Sequence, residues 1–479
     1  MTALWTSREA AAATGGECRG TWSATGVSID TRTLQPGDLF VALSDRRDGH
    51  DFVARAFAAG AAAAMVSRLP DGAAAGAPLL VVADVLDALW RLARAARARS
   101  AARVIAVTGS VGKTGTKEML RTALSRQGAV HAAERSFNNR WGVPLTLARM
   151  PGSTDYCVVE IGMNAPGETA PLAMLARPHA AIVTTVDAVH TAAFPDVAAI
   201  AREKAAIFEG LEPPGTAILN RDDATYPVLL RKARRCGARP VRFGSSGRPE
   251  FRLRRAFLSG NCTTIRASVG DAPLIFKLAA PGRHLAMNAL SALAGVQALG
   301  ADVGLAAVAL GSWKAPPGRG SRWRIGLGDG DIDGGVLLID ESYNANPRSM
   351  AAALEVLAAA EPENSVGRVA KGRRIAFLGD MLELGPGAEA LHAAIAALPQ
   401  IAAIDVIHTA GPLMKSLHGA LPPERRGEWH ATSVDLAGRA RRLIDAGDVV
   451  MVKGSLGSRT GLIVDAIKNL GNARAQDAA

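Results

Sequence analysis

Val104-Ile105-Ala106-Val107-Thr108-Gly109-Ser110-Val111-Gly112-Lys113-Thr114-Gly115-Thr116 decides how the chain is read. Four apolar, partly β-branched residues predict a buried strand. Gly109 and Gly112 let the backbone turn where a side chain would collide with a ligand. From Lys113 the period changes. Met119, Leu120, Ala123 and Leu124 share one helical face, and Gly128 supplies a stop. A strand, a glycine turn, Lys-Thr and a helix together make a phosphate-binding loop. Backbone N–H groups of Gly109 to Gly115 and the helix N-terminus face the anion, Lys113 adds charge, and the Thr114 hydroxyl suits Mg²⁺. The spacing is G-x-x-G-K-T, shorter than the common G-x-x-x-x-G-K-[ST].

Outward from that loop the chain divides in three. Its 479 residues are enough for about three domains by length alone. Residues 1–100 predict a small α/β unit, with strands at 27–29, 39–43, 64–66 and 79–82 and helices at 51–59 and 85–98. On the second helix Val85, Leu89, Leu92 and Ala96 face inward, and Arg91, Arg94 and Arg97 form a solvated face. Residues 101–314 hold the phosphate loop and further buried strands at 156–161, 180–186 and 217–219, alternating with helices. That pattern implies a mainly parallel sheet. Residues 240–277 suggest a small antiparallel patch that includes Val241-Arg242-Phe243, and a helix at 284–297 closes the unit. Ala315-Pro316-Pro317-Gly318 marks a linker. Residues 315–479 alternate strands at 336–339, 375–378, 405–409 and 449–452 with helices, a Rossmann-like, doubly wound pattern. Glu361 to Arg374 is expected to be a mobile insert and Ala473 to Ala479 a disordered tail.

Composition excludes several classes. The chain is 48% hydrophobic but only 4% aromatic, so its cores are built from Ala, Leu and Val. A net charge of +11 favours anionic partners. With no RNA- or DNA-reading motif, nucleotide phosphates satisfy that bias as well as nucleic acid does. Cys18, Cys157, Cys236 and Cys262 form no C-x-x-C pair, which argues against disulfides or a zinc knuckle. No apolar run is long enough to span a bilayer and no secretory signal is seen, so a cytoplasmic monomer without membrane insertion is expected.

Polar residues gather at the ends of predicted strands, where open α/β sheets bind ligands. Glu160 follows Val158-Val159, and Asp187 and His190 follow Val186. With Thr114 they offer ligands for divalent metals. In the last third Asp340 ends one strand and is followed by Ser342, Tyr343, Asn344, Asn346 and Pro347 before a helix capped near Ser349. Asp380 and Lys453-Gly454-Ser455 end two others. Lys204 reads as a solvated lysine at a helix start. Asn138-Asn139 reads as a turn, and Asn288 inside a helix hints at a ligand contact.

Taken together these motifs resemble the Mur ligases, which build the peptide of bacterial peptidoglycan, and the likeness covers nearly the whole chain. Thr108 to Thr114 resembles that family's ATP loop, short spacing included, with Ser110 where Thr is usual. The resemblance implies ATP and Mg²⁺ as cofactors. Thr114, Glu160, His190 and a carbamylated Lys204 become the metal ligands. Gly282-Arg283-His284 with Asn288 resembles a block whose Asn meets the nucleotide, and Asp340 takes the position that faces the ribose. Arg319 or Arg322 is the arginine that reaches the ATP phosphates; Pro317-Gly318-Arg319 favours Arg319.

Asp30-Thr31-Arg32, Pro36-Gly37-Asp38-Leu39-Phe40 and Asp48-Gly49-His50 resemble the part of the family that holds the UDP end of the substrate. They imply contacts from Ser28, Asp30, Thr31, Arg32 and Asp48, with Asn138 and Asn139 nearby. Asp340 to Pro347 and Leu378 to Gly385 are similar to the family's D-alanyl-D-alanine-adding members. These join UDP-N-acetylmuramoyl-tripeptide to D-alanyl-D-alanine through an acyl phosphate. Asn344, Asn346 and Ser349 are then the expected dipeptide contacts. No D-N-P-R stretch of the ligase that adds the third amino acid is found. That ligase, a P-loop kinase or ATPase, and a nucleic-acid-dependent ATPase are the alternatives.

Overall fold

The computed structural model describes residues 3–69, 76–133, 136–188, 193–327, 334–368 and 370–476. Three main sheets divide them. The first has five strands in the order Glu17–Arg19, Leu79–Val81, Ala63–Val66, Asp38–Val41, Gly26–Ser28, parallel except for the first. The residues before Val27 supply that antiparallel edge, a helix Ser7–Thr14 and a short ladder of Trp5–Thr6 with Ser23–Ala24. The helix starts at a capping box in which Thr6 and Glu9 satisfy each other's backbone N–H.

The central sheet has nine strands, ordered Ala272–Leu278, Cys262–Val269, Phe251–Ser259, Arg239–Gly244, Thr216–Asn220, Ala180–Val183, Arg103–Thr108, Tyr156–Glu160, Val130–Ala132. The antiparallel patch is smaller than expected. Arg239–Gly244 runs parallel to both of its neighbours, and only Phe251–Ser259, Cys262–Val269 and Ala272–Leu278 form an antiparallel meander. Arg103–Thr108, the strand feeding the phosphate loop, lies inside the sheet between two parallel partners. Val104, Ile105, Ala106 and Val107 are fully buried because helices cover both faces. Helix Lys113–Leu124 packs its Met119, Leu120, Ala123 and Leu124 on one face, against helix Arg283–Ala298.

The third sheet is ordered Arg426–His430, Val406–Ala410, Arg374–Gly379, Val449–Lys453, Gly335–Glu341, Ser321–Gly326, Asn472–Ala475. Its first five strands are parallel and its last two antiparallel. Two expectations fail here. Residues 472–475 are not tail but an edge strand paired with Trp323–Gly326. The insert is held at both ends: Glu363 accepts both guanidinium nitrogens of Arg324 at 2.6 and 2.7 Å, and Arg373 holds the buried Asp448 at 2.7 Å. Before the strand Val449–Lys453 the chain forms two short helices, Ser433–Ala437 and Ala440–Leu443.

Arg97 also departs from its expected solvated face. It is buried, and its guanidinium donates to the carbonyls of Ala176 and Arg177 at 2.9 Å. Helix Val85–Arg99 therefore ties the first unit to the second, and Trp5 does the same by donating to the Ala148 carbonyl at 2.9 Å. The four cysteines are unpaired, as their spacing predicts. Among the described residues no helix is long and apolar enough to cross a membrane.

Candidate active site

The phosphate loop is held in shape by the next strand's end. Gly109 has φ +152° and Gly112 φ +88°, conformations that favour glycine. Ser110 N donates to the Thr185 carbonyl at 2.7 Å, and Thr184 Oγ1 donates to the Val111 carbonyl at 2.6 Å. A Cβ on Gly109 would lie 1.9 Å from Thr184 Oγ1. Gly109→Ala should therefore lose about 2 kcal/mol or more of stability through overlap and φ strain. Urea unfolding checks this against Gly152→Ala, where nothing lies within 4 Å of the added carbon. Equal stability of the two variants would contradict the loop geometry.

Helix Lys113–Leu124 begins at Gly112 without a side-chain cap, so its first N–H groups remain open to an anion. Lys113 Nζ turns back onto the Gly109 carbonyl at 2.6 Å. Desolvation lowers its pKa; nearby Arg319 adds to the fall and Glu160 opposes it. Thr114 Oγ1 lies 3.2 Å from Glu160 Oε1 and 3.1 Å from Ser136 Oγ. Asn138 Nδ2 donates to the same Glu160 oxygen at 2.7 Å. The other oxygen, Oε2, is buried with no hydrogen-bond partner among the described residues. A buried carboxylate oxygen without a donor calls for a cation. Together with the Thr114 hydroxyl it fits the oxygen ligation that Mg²⁺ prefers.

These groups line a cleft of about 560 Å³ between the central and third sheets. Ser110 to Gly115, Asn138, Asn139, Glu160 and Asn288 are on one wall; Arg319, Asn344, Asn346 and Ser349 are on the other. The Asn288 amide sits so close to Gly112 that a Cβ there would meet it at 2.8 Å. Arg322 is ruled out of the cleft. Its guanidinium donates to the Gly260 carbonyl at 2.9 Å and Asn261 Oδ1 at 3.0 Å, and burial lowers its pKa to about 10.

Some expected residues are occupied by local structure. Asn346, not Ser349, is the cap of helix Pro347–Ala358. Its Oδ1 accepts Ser349 N at 2.9 Å while Ser349 Oγ accepts Asn346 N at 3.0 Å. Asn139 Oδ1 caps the following turn through Gly142 N at 2.9 Å. The Asp340 carboxylate is not on the cleft wall; it accepts Ser342 N and Oγ and Gly318 N. Asp380 accepts Met414 N at 2.9 Å, away from the cleft wall.

Lys204 is not solvated. It is 1% exposed, off the cleft wall, and forms no hydrogen bond or ion pair among the described residues. Burial pulls its pKa well below the usual lysine value, and Lys113 adds to the fall. His190 lies outside the described residues.

Ser136, Asp222 and Lys453 also line the cleft, the first two without any site signal in the sequence. Ser136 reaches Thr114, and buried Lys453 donates to the Asn344 carbonyl at 2.9 Å and Glu341 at 3.3 Å. Asp222 gathers the N–H and hydroxyl groups of Ser245 and Ser246. Lys453 is marked in the sequence as the polar residue that ends a buried strand.

A second cavity of about 750 Å³ lies where the first unit meets the second. Ser28, Asp30, Thr31 and Arg32 line it with Arg46, Arg47, Arg55 and Arg149 and the rings of Phe40, Phe52 and Phe137. Four cations beyond those expected suit an anionic ligand, and the rings suit a flat one. Asp30 grips Arg32 at 2.6 Å. Asp48 is not on this wall. Its carboxylate accepts His50 N and faces His50 Nδ1, Ser44 and Arg68, which hold its pKa well below the usual carboxylate range. Phe137 faces this cavity and its neighbour Asn138 the other, so the two adjoin.

The comparisons agree with this layout. Residues 23–97 match the family model described as Mur ligase family, catalytic domain. Residues 107–296 match the Mur ligase middle domain and 328–456 the Mur ligase glutamate ligase domain. The chain is 36% identical over 452 residues to UDP-N-acetylmuramoyl-tripeptide--D-alanyl-D-alanine ligase of Escherichia coli (strain K12), covering 93% of this chain and 94% of that protein. It is 33% identical over 445 residues to the Bacillus subtilis (strain 168) enzyme of the same name, covering 92% of each. A crystal structure of MurF from Acinetobacter baumannii superposes with TM-score 0.81 at 28% identity, covering 97% of this chain and 99% of that one. The MurF ligase of Thermotoga maritima in complex with ADP shares the fold, with TM-score 0.75 at 24% identity over 93% and 97% of the two chains.

Proposed function

The chain belongs to the Mur ligase family, and from that premise we propose that it is the ATP-dependent ligase joining D-alanyl-D-alanine to UDP-N-acetylmuramoyl-tripeptide. The observation that carries this reading is the shared cleft. Phosphate-loop groups on one wall face Arg319 and the amides of the third unit on the other, so two substrates have room to meet over one phosphate. The identity to relatives named for this reaction supports the choice of substrates. We assign residues 1–100 to the UDP end of the substrate, 101–314 to ATP and 315–479 to the dipeptide; the three separate sheets support these bounds.

The chemistry follows from charge. The tripeptide's terminal carboxylate attacks the ATP γ-phosphorus, an oxygen–phosphorus bond forms, and ADP leaves. The dipeptide amine then attacks the acyl carbon, and phosphate departs with the electron pair of the carbon–oxygen bond. The amine's proton passes to solvent. Carboxylate and triphosphate repel each other by about 4 kcal/mol per charge pair at about 4 Å and an effective dielectric near 20. Lys113 and Arg319 offset that repulsion and hold the phosphate in line. The loop N–H groups orient the phosphates, and Asn288 packs beside the loop where the nucleotide sits. In the adjoining cavity Arg32, Arg46, Arg47 and Arg149 hold the diphosphate of the UDP substrate.

Thr114 and Glu160 would hold one Mg²⁺, and His190 with a carbamylated Lys204 a second; bound metal supplies charge neutralisation at the phosphates. A buried lysine with a lowered pKa is neutral often enough to add carbon dioxide, giving an anionic oxygen ligand where an ammonium would repel metal.

Phosphate release tests the reading. It should need ATP, UDP-muramoyl tripeptide and D-alanyl-D-alanine together. DNA or RNA should not replace either substrate. Release driven by nucleic acid alone would overturn the proposal.

A further inference from the structure

Arg319 is fixed by one turn. Gly318 N donates to Asp340 Oδ2 at 3.2 Å, Gly320 N donates to the Asp340 carbonyl at 2.8 Å, and Tyr343 N donates to the Gly318 carbonyl at 3.0 Å. Both neighbours of Arg319 are thus bonded to the turn that ends strand Gly335–Glu341. Gly318 has φ +72°, and a Cβ on it would meet Tyr343 Cβ at 2.9 Å. The Arg319 guanidinium carbon lies 4.2 Å from the centre of the Tyr343 ring. Tyr343 is 37% exposed and lines the cleft, although it is a large ring with no core role. Among the described residues no carboxylate pairs with Arg319, so the ring face is what orients a long, otherwise free side chain.

We propose that Tyr343 is a positioning residue: its ring holds the Arg319 guanidinium across the cleft from the phosphate loop. The turn that carries it continues directly into Asn344 and Asn346. Arg319, though it follows a linker, therefore moves with the dipeptide wall and not with the ATP wall. The cation reaches the transferring phosphate only when that wall is in place. The inference rests on the assignment of Arg319 to the phosphates made above.

A double-variant cycle on full-length enzyme tests it, with kcat and KM for ATP and for the UDP substrate measured separately. Tyr343→Ala should lower kcat about threefold, the worth of a partly exposed cation–ring contact, with KM for the UDP substrate unchanged. Tyr343→Phe keeps the ring and should recover most of that loss. Tyr343→Leu keeps bulk without a π face and should not, so a folding defect in the alanine variant is told apart. In an Arg319→Ala background Tyr343→Ala should cost almost nothing more. Losses that multiply in the double variant, or a leucine variant as active as the phenylalanine one, would overturn the inference. An Arg319→Ala enzyme with wild-type turnover would instead overturn the assignment of Arg319 itself.

Discussion

Lys113→Ala should lower turnover at saturating ATP by of order 10²-fold or more, the usual effect of removing one group that stabilises developing charge. Among the described residues the ammonium bonds only to the Gly109 and Ser110 carbonyls of its own loop, so no core contact is lost with it. Thermal unfolding should stay close to wild type. Without phosphate the lysine and Arg319 are two cations facing one cleft, which favours an anion between them. Retention of more than about a tenth of the rate would remove the loop from the reaction.

Lys204→Ala should be inactive to a similar degree, of order 10²-fold, and partly restored by acetate or formate. The lysine is enclosed and has no partner of opposite charge among the described residues; Glu203 only offsets part of its lowered pKa. Burying a bare ammonium in that way is costly. A carbamate changes the sign of the group, and a small carboxylate diffusing into the space left by alanine restores it. Magnesium titration of activity should shift to higher concentration in the variant and return with acetate. A fully active alanine variant would contradict the carbamate, as would one that no carboxylate improves.

The phosphate loop was legible because one strand, one turn and one helix follow each other within Val104 to Leu124, so local sequence contains the whole device. Glu160 was legible as the polar end of a buried strand. Lys204 was not, because nothing in Arg202-Glu203-Lys204 distinguishes an exposed helical lysine from one turned inward by tertiary packing. Arg97 failed for the same reason: periodicity placed it on the polar face, but that face meets the Ala176 and Arg177 carbonyls of another unit. The strand at 472–475 is short and polar, and only its partner Ser321–Gly326, far back in the chain, makes it a strand.

Asp48 and Asp340 show the limit for sites. Each stands in a motif beside a ligand cavity, yet each spends its carboxylate on backbone and side-chain donors around it. Sequence identifies the motif; only the three-dimensional donors reveal that the carboxylate builds the turn. The choice between Arg319 and Arg322 needed the same information, since the hairpin carbonyl at Gly260 claims Arg322 from 62 residues away.

The identity of the acceptor decides which addition step the enzyme catalyses. Asn344, Asn346 and Ser349 line the cleft from the third unit; Asn346 Oδ1 and Ser349 Oγ hold the helix cap, which leaves the Nδ2 donors of Asn344 and Asn346 for a peptide C=O or carboxylate. A wall built for a second residue leaves polar groups unpaired when a single amino acid binds, and such sites reject the shorter analogue by about 10⁴-fold. The direct measurement is kcat/KM for D-alanyl-D-alanine, D-alanine and L-lysine in one competition assay, with product masses read for each. UDP-muramoyl pentapeptide should be the product, with a single-residue rate lower by about 10³-fold or more. Comparable kcat/KM for either single amino acid would contradict it and place the enzyme at another addition step.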